Sequence, residues 1–560
     1  MSGVTWGGSL AGVTNPDVKL GYNAPRNGPD GKPIPTPDSS LPSSVMVQLV
    51  SSTGSTTFPP IDVPINSTTT QLEALVHNLL NPDSDDDSDD DDDEVEKKKK
   101  KKKRKVESTP YAFYLSPHIN PSGTTSTPED KELTTSLLDA IKSFNSLATS
   151  TSSPPIVSTE KTLTVTFQPL AVYKVRPVTR CTDTMPGHTE AVLHVQYSPS
   201  GRHLASGGGD TTVRFWDTNT ALPKFTCTGH RNHVLTVSWS PCGTHFASGD
   251  KSGTLIIWDP STGASKFTYK AHSKWITGIS WEPMHRNEGK GERIATSSKD
   301  GLVKVFNVRL QRVLFTLSGH TDSVEAIRWG GEGLIYTASR DRTIKVWGAE
   351  DIEGTKAGKL VRTLTGHGHR VNTLALSCDY TCRTGPFDHN GLNDGSADAM
   401  FARAKSKYTE IISQAPERLV SGSDDFTLFF WHPTTSKQPV KRLTGHQQAV
   451  NCISFSPSGR HFASASFDKK VKIWDGRNGN FLHTLTGHVG AVYCVAWSSD
   501  GRYVVSASKD STVKLWEVGE TKAKETLPGH ADEVYALDWS PNGRSVASGS
   551  KDRTIKIWKH

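Results

Sequence analysis

A chain of 560 residues is long enough for several domains. Hydrophobic residues make up 34% of it and charged residues 22%, which supports a folded core and leaves room for disordered stretches. The net charge of +6 is mild and names no polyanionic partner, because an acidic run and a basic run nearly cancel within residues 83–105. The seven cysteines are odd in number and scattered, which argues against a disulfide framework and for a reducing compartment. Cys378 and Cys382 have no second Cys/His pair at finger-like spacing, so no zinc site is expected there. The start, MSGVTWGGSLAGVTNP, lacks a basic, apolar leader, and no run of about 18 apolar residues suggests a membrane span.

Residues 1–43 are rich in Gly, Pro, Asn and Asp and are expected to be a disordered tail. Residues 44–170 read as a small α+β domain. Val45–Val50 and Ile61–Ile65 alternate as a hairpin pair. A helix follows with Leu72, Leu75, Val76, Leu79 and Leu80 on one face, and Thr70 with Glu73 reads as its capping box. Tyr111–Leu115 is a third strand, Leu133, Leu137, Leu138 and Ile141 mark a second helix, and Leu163–Phe167 is the last strand. The order β-β-α-β-α-β resembles a ubiquitin-like fold.

Within that domain, residues 81–109 break the pattern. Eleven carboxylates lie between Asp83 and Glu96, and Lys97–Lys105 are nine cations in a row. Like charges at this density repel, so the segment is expected to be a solvated loop. Lys101, Lys102, Lys103, Arg104 and Lys105, followed by Val106, resemble a monopartite nuclear-import signal. The plainer reading of such a run is a solubilising loop.

From residue 171 to 560 the chain repeats. Gly-His, Trp-Ser-Pro-x-Gly, Ser-x-x-Asp and Trp-Asp recur, as in GHQQAVNCISFSPSGRHFASASFDKKVKIWD at 445–475. The histidine returns as His188, His230, His272, His320, His367, His446, His488 and His530. The closing aromatic returns as Trp216, Trp258, Phe306, Trp347, Trp431, Trp474, Trp516 and Trp558. Within each unit short β-branched runs alternate with polar residues between turn signals, which is strand and hairpin chemistry. The eight units resemble WD repeats, and the fold expected is mainly β: an eight-bladed propeller after the ubiquitin-like domain.

That resemblance implies a buried network of His, Asp, Ser/Thr and Trp inside each blade. Here it would be built from sets such as His188, Asp210 and Trp216; His446, Asp468 and Trp474; His488, Asp510 and Trp516; and His530, Asp552 and Trp558. A hydrolase triad needs one copy; repetition argues for structure. Ser252 stands where the second repeat should have Asp, and the third carries Phe306 for Trp, so both blades are expected to lack the full network. The fifth repeat is long, with a polar excess at 378–416 read as a partner-binding insertion whose end, about 396–414, could be helical. The last repeat lacks a fourth strand, and Ala171–Val175 is expected to supply it.

The residue before each network Asp belongs on the upper rim. Lys251, Lys299, Arg340, Lys509 and Lys551 make that rim basic, joined by His233, Trp275 and Arg370, each three after its motif histidine. Such a rim suits rRNA or acidic protein segments; ordinary surface lysine is the plainer reading.

The ubiquitin-like domain before eight WD repeats, the junction Phe167–Arg180, His272–Thr277, Ser280–Pro283 and Phe387–His389 together resemble the Notchless family of large-subunit ribosome-assembly factors. The resemblance implies a non-catalytic scaffold in the nucleus and nucleolus, acting as a monomer within a larger particle. It implies that the propeller anchors on pre-60S proteins, assembly factors and rRNA. It also implies that the ubiquitin-like domain docks on the metal-ion-dependent adhesion site of the AAA+ ATPase midasin. Glu160 would complete the coordination of a Mg²⁺ ion held by that partner, with no cofactor of the chain's own. A ubiquitin-ligase substrate receptor is the alternative; no F-box-like helical segment precedes the repeats. No Walker loop, Gly-x-Ser-x-Gly elbow or metal-spaced His/Glu cluster supports an enzyme.

Overall fold

The computed structural model describes residues 43–51, 56–80, 111–116, 131–133, 137–146, 162–169, 175–287, 292–350, 357–389, 391 and 396–560. The chain divides into two compact units, one ending near Gln168 and one running to His560.

The first unit is a mixed five-stranded sheet carrying two helices. Its strands are β1 (Ser44–Ser51), β2 (Ile61–Pro64), β3 (Tyr111–Ser116), β4 (Lys131–Glu132) and β5 (Leu163–Pro169), in the order β2-β1-β5-β3-β4. β1 pairs antiparallel with β2, Val45 opposite Val63, and parallel with β5, Val47 opposite Leu163. Period-two burial explains the register: Val45, Val47 and Leu49 on β1 and Leu163, Val165 and Phe167 on β5 all point into one core. Helix α1 (Thr69–Leu80) adds Leu72 and Val76, and α2 (Leu137–Ser146) adds Leu137, Ala140 and Ile141. The central parallel pair and this strand order are ubiquitin-like.

Three local expectations are corrected. β4 escapes pattern reading because two residues carry no period. Leu133 precedes α2, and its amide donates to the Phe113 carbonyl, which makes it part of the sheet edge. At the start of α1 the side chain that reaches back is Gln71, whose Oε1 accepts from the Thr68 amide at 2.9 Å. The cap therefore lies two residues upstream of the Thr70–Glu73 pair, and Leu80 is exposed.

The second unit holds eight four-stranded antiparallel sheets. Their innermost strands are Val192–Tyr197, Val234–Trp239, Ile276–Trp281, Val324–Trp329, Val371–Leu376, Val450–Phe455, Val492–Trp497 and Val534–Trp539. Each packs beside the next, and the eighth beside the first, so the ring is closed. The core is divided among the sheet-to-sheet seams. Between blades one and two, for example, Phe215, Trp239, Phe246 and Trp258 pack together. Closure leaves only outer edges exposed.

Closure uses a different segment from the one expected. The fourth strand of blade eight is β6 (Arg180–Pro186), antiparallel to Thr554–Lys559, with Met185 opposite Ile555 and Cys181 opposite Trp558. Residues 171–174 lie outside the described residues. Val175 and Val178 are buried among Ala496, Tyr503, Trp539 and Trp558 without joining a ladder. An outermost strand is exposed on both faces, so β6 carries almost no apolar alternation and gives no pattern to read.

Blade five has its insertion between Val371–Leu376 and its next strand, Leu419–Ser423. The insertion contains α3 (Asp379–Thr384) and α4 (Ala397–Gln414). α4 begins at Ser396, whose side chain accepts from the Ala399 amide.

Candidate functional site

Inside each blade the motif histidine is fixed on both ring nitrogens. In blade one His188 Nδ1 lies 2.9 Å from Asp210 Oδ2, its Nε2 lies 2.8 Å from Ser206 Oγ, and Trp216 Nε1 donates to the same oxygen at 2.9 Å. A carboxylate can only accept, so the Nδ1 proton goes to Asp210, and in the neutral ring Nε2 then accepts from the Ser206 hydroxyl. The same three bonds join His446, Asp468, Ser464 and Trp474. They recur at His488, Asp510, Ser506 and Trp516, and at His530, Asp552, Ser548 and Trp558. Burial acts to raise the Asp552 pKa, but hydrogen bonds from Thr554, the Ala531 amide and His530 hold it down to about 2. Burial likewise favours neutral His446 and His530. With every polar atom engaged in each copy, the set is a fastener and leaves no nucleophile.

Blade two is a correction. Its carboxylate is Asp250, two residues upstream of Ser252: His230 Nδ1 meets Asp250 at 3.1 Å, while Ser248 joins His230 and Trp258 as in other blades. Ser252 fills the usual Asp position and donates its hydroxyl to Asp250. Serine and aspartate have exchanged places, so the network is complete. In blade three His272, Asp300 and Thr296 are joined, and only the indole donor is lost, at Phe306.

The upper face has a regular geometry. In each blade the amide of the residue before the usual Asp position donates to a carbonyl in the loop that follows the motif histidine. Lys251 donates to His233, Lys299 to Trp275, Asp424 to Arg370 and Lys551 to Glu533. The two positions selected from the sequence are therefore partners across one loop.

Most of the rim cations are neutralised. Arg340 lies 3.8 Å from Glu325, Lys509 3.9 Å from Glu533 and Lys551 3.3 Å from Asp532, and Arg370 pairs with Asp424. His233 sits beside Gly209, where Glu190 also lies. Lys251 and Lys299 differ: both stand over the exposed ring of Trp275, at 4.7 and 3.8 Å from its centroid. Across the ring, Phe467 meets Tyr493 edge-on, and Tyr493 packs on Tyr535 at 5.5 Å. Sequence reading passed over Tyr493 and Tyr535, although both stand five residues after their motif histidine. Glu160 and the run Lys101–Lys105 lie outside the described residues.

The lower face is covered by the blade-five insertion. Asp379 of α3 reaches Arg328 of blade four at 3.4 Å, and Arg383 clasps Asp538 of blade eight with both terminal nitrogens. Tyr380 donates to the Pro541 carbonyl, also in blade eight. Gly385, at φ +55, approaches blade two so closely that a Cβ would lie 2.9 Å from the Pro241 oxygen. Helix α4 stacks Tyr408 on His285 of blade three, centroids 4.0 Å apart. Beneath it Glu417, pushed up to about 7 by burial and then by Glu332, accepts from the Gly331 amide. The polarity read as a partner-binding surface is spent, in α3, on the protein's own ring. Among the described residues no group of three or more His, Cys, Asp or Glu is placed to hold a metal ion.

Residues 179–217, 222–259, 263–307, 311–348, 437–475, 479–517 and 521–559 match the family described as WD domain, G-beta repeat. The seven matches leave out the stretch that carries the insertion. Residues 45–141 match the NLE (NUC135) domain. A crystal structure of the computationally designed Ika8 protein is similar in fold, with a TM-score of 0.52 at 24% identity, covering 68% of this chain and 100% of that one. Ribosome assembly protein 4 of Saccharomyces cerevisiae is 44% identical over 337 residues, 59% of this chain and 64% of that protein. The Notchless protein homolog of Arabidopsis thaliana is 54% identical over 326 residues, 58% of this chain and 67% of its own. Protein Notchless of Drosophila melanogaster is 44% identical over 430 residues, 75% of this chain and 76% of that protein. With an NLE domain ahead of its WD repeats and this identity over three-quarters of both lengths, the chain belongs to the Notchless family.

Proposed function

We propose that the chain is an assembly factor of the large ribosomal subunit, working in the nucleus and nucleolus, whose propeller anchors on the precursor particle while its ubiquitin-like domain docks on the AAA+ ATPase midasin. The observation that carries this reading is the 44% identity to Ribosome assembly protein 4, a relative named for that process. Like its WD-repeat relatives, the chain is a scaffold and not an enzyme. In this reading Glu160 supplies one carboxylate oxygen to a Mg²⁺ ion held by the partner, which suits a hard cation. The ion belongs to the partner's site; this chain's part is to present the carboxylate in the segment just ahead of β5. Force on the ubiquitin-like domain would reach the ring through the chain from Pro169 to β6, the strand that closes blade eight.

Two measurements test it. The 560-residue chain should bind the ATPase's adhesion domain with Mg²⁺ and lose that binding with chelator or on Glu160→Ala; binding that survives both excludes the metal bridge. In sucrose gradients the chain should sediment with precursor large subunits. Free sedimentation beside intact precursors would defeat the assembly role.

A further inference from the structure

We propose that Lys251, Trp275 and Lys299, on the upper faces of blades two and three, bind a single-stranded segment of RNA, the ammonium groups meeting phosphates and the indole a base. This deepens the reading above, on which it rests for the source of the RNA.

Charge balance singles out this sector. Arg340, Arg370, Lys509 and Lys551 have carboxylate partners, whereas Lys251 and Lys299 have none among the described residues. Their cationic heads are instead parked on one ring. At an exposed site a cation–π contact is worth only about 0.5–1 kcal/mol, less than a charge-assisted bond to phosphate. The lysines therefore exchange the ring for an anion readily, and both are already gathered at one place.

The indole decides between polyanions. Trp275 is 37% exposed, unusual for the largest side chain. When the ammonium groups move to an anion, its face is uncovered. That face carries the negative side of the ring quadrupole, so it repels the carboxylates of an acidic peptide. A nucleobase stacks on it, and phosphates on either side of that base suit the lysines.

The test is fluorescence anisotropy of a labelled oligouridylate with the full chain across a salt series. It is run in parallel on a full chain whose Lys97–Lys105 run is replaced by serine, so that the run's own pull on polyanions is removed. The double variant Lys251→Gln/Lys299→Gln should bind more weakly and lower the salt slope by about 1.4, close to 0.7 per phosphate contact on a single strand. Trp275→Ala should lose affinity about tenfold, the scale of one stacked base. Thermal melting of each variant should match the parent. Unchanged RNA affinity and slope in both variants would overturn the proposal, as would stronger parental binding to labelled polyglutamate than to the oligouridylate. Sedimentation with precursor particles that persists in such a case would leave the assembly role standing and remove only this site.

Discussion

Arg383 and Asp538 meet across the lower face of the ring, although one belongs to blade five and the other to blade eight. Both terminal nitrogens of Arg383 donate to the Asp538 carboxylate, the Nη1 bond at 2.8 Å, and Asp538 also accepts from the Tyr197 amide of blade one. One carboxylate thus fastens three blades that are not all neighbours. Removing a single partner of such a pair leaves the other charge partly buried. Asp538→Ala should therefore destabilise by about 3 kcal/mol, because it strands both Arg383 and the Tyr197 amide. Arg383→Met should cost less, since it leaves a carboxylate still bonded to Tyr197. Urea unfolding of both variants and of the pair combined measures the coupling. Equal losses for the two single variants would show that the tie to blade one carries no weight.

The exchange in blade two gives a second prediction. Asp250→Ser strands the Nδ1 proton of His230 and the amides of Ser252 and Thr254, which now donate to Asp250. The expected loss is about 2–3 kcal/mol for buried groups left unpaired. Adding Ser252→Asp restores the arrangement of the other blades, in which the carboxylate also accepts the amide just after the histidine, as Asp210 does from Thr189. The double variant should recover parental stability. Thermal unfolding of both single variants and the double one closes the cycle. A double variant as unstable as Asp250→Ser would mean that the loop of blade two cannot hold the usual geometry.

How far the sequence reveals this depends on repetition. Eight copies of the histidine and its aromatic partner fix the ring, because each blade repeats one solution to the same burial problem. What repetition does not carry is lost. Fixed spacing hides Asp250, since a carboxylate two residues away still reaches His230. β6 is hidden because its residues face solvent and need no apolar alternation. The insertion misleads in the other direction: Tyr380, Asp379 and Arg383 look like surface polarity, but the floor they meet is itself polar, with Arg328 and Asp538. The charge of Lys251 and Lys299 is visible in the sequence, but that they have no acidic partner among the described residues is a property of the fold. For Glu160 and Lys101–Lys105 the reading rests on resemblance alone.

Acid should weaken the ring before it reaches the carboxylate range. His461 is held down to about 4 by burial, then by Arg460, Arg477 and His483. His194 is held down to about 4 by burial, which Asp538 opposes and Arg383 and Arg328 reinforce. Burial also lowers His272, His446 and His530. The ordinary value is 6.5, so between pH 6.5 and 4 the unfolded chain binds more protons than the folded one. Stability is full above pH 6.5 and falls as pH drops toward 4, with a slope of up to about 1.4 kcal/mol per pH unit for each such histidine. Calorimetric melting from pH 8 to pH 4.5 should show the descent beginning near 6.5, and His461→Gln should make it shallower. A flat profile down to pH 5 would contradict neutral burial of these rings.

The closing strand supplies the last prediction. Without β6 the strand Thr554–Lys559 becomes an open edge, with unpaired backbone groups facing solvent. Loss of about six ladder bonds at roughly 0.5–1.5 kcal/mol each, together with the Met185 contact, removes several kcal/mol. A chain of residues 187–560 should therefore melt lower and form oligomers in light scattering. A chain of residues 175–560 keeps β6, the buried Val175 and Val178, and the bond from the Val175 amide to Asp500 at 2.8 Å. It should remain monomeric and melt like the ring of the full chain. A synthetic peptide of residues 175–186 added in trans should restore the shorter chain, since strand and edge recognise each other through backbone bonds in a fixed register. If residues 187–560 alone were monomeric and equally stable, β6 would be a passenger on the ring and not its closure.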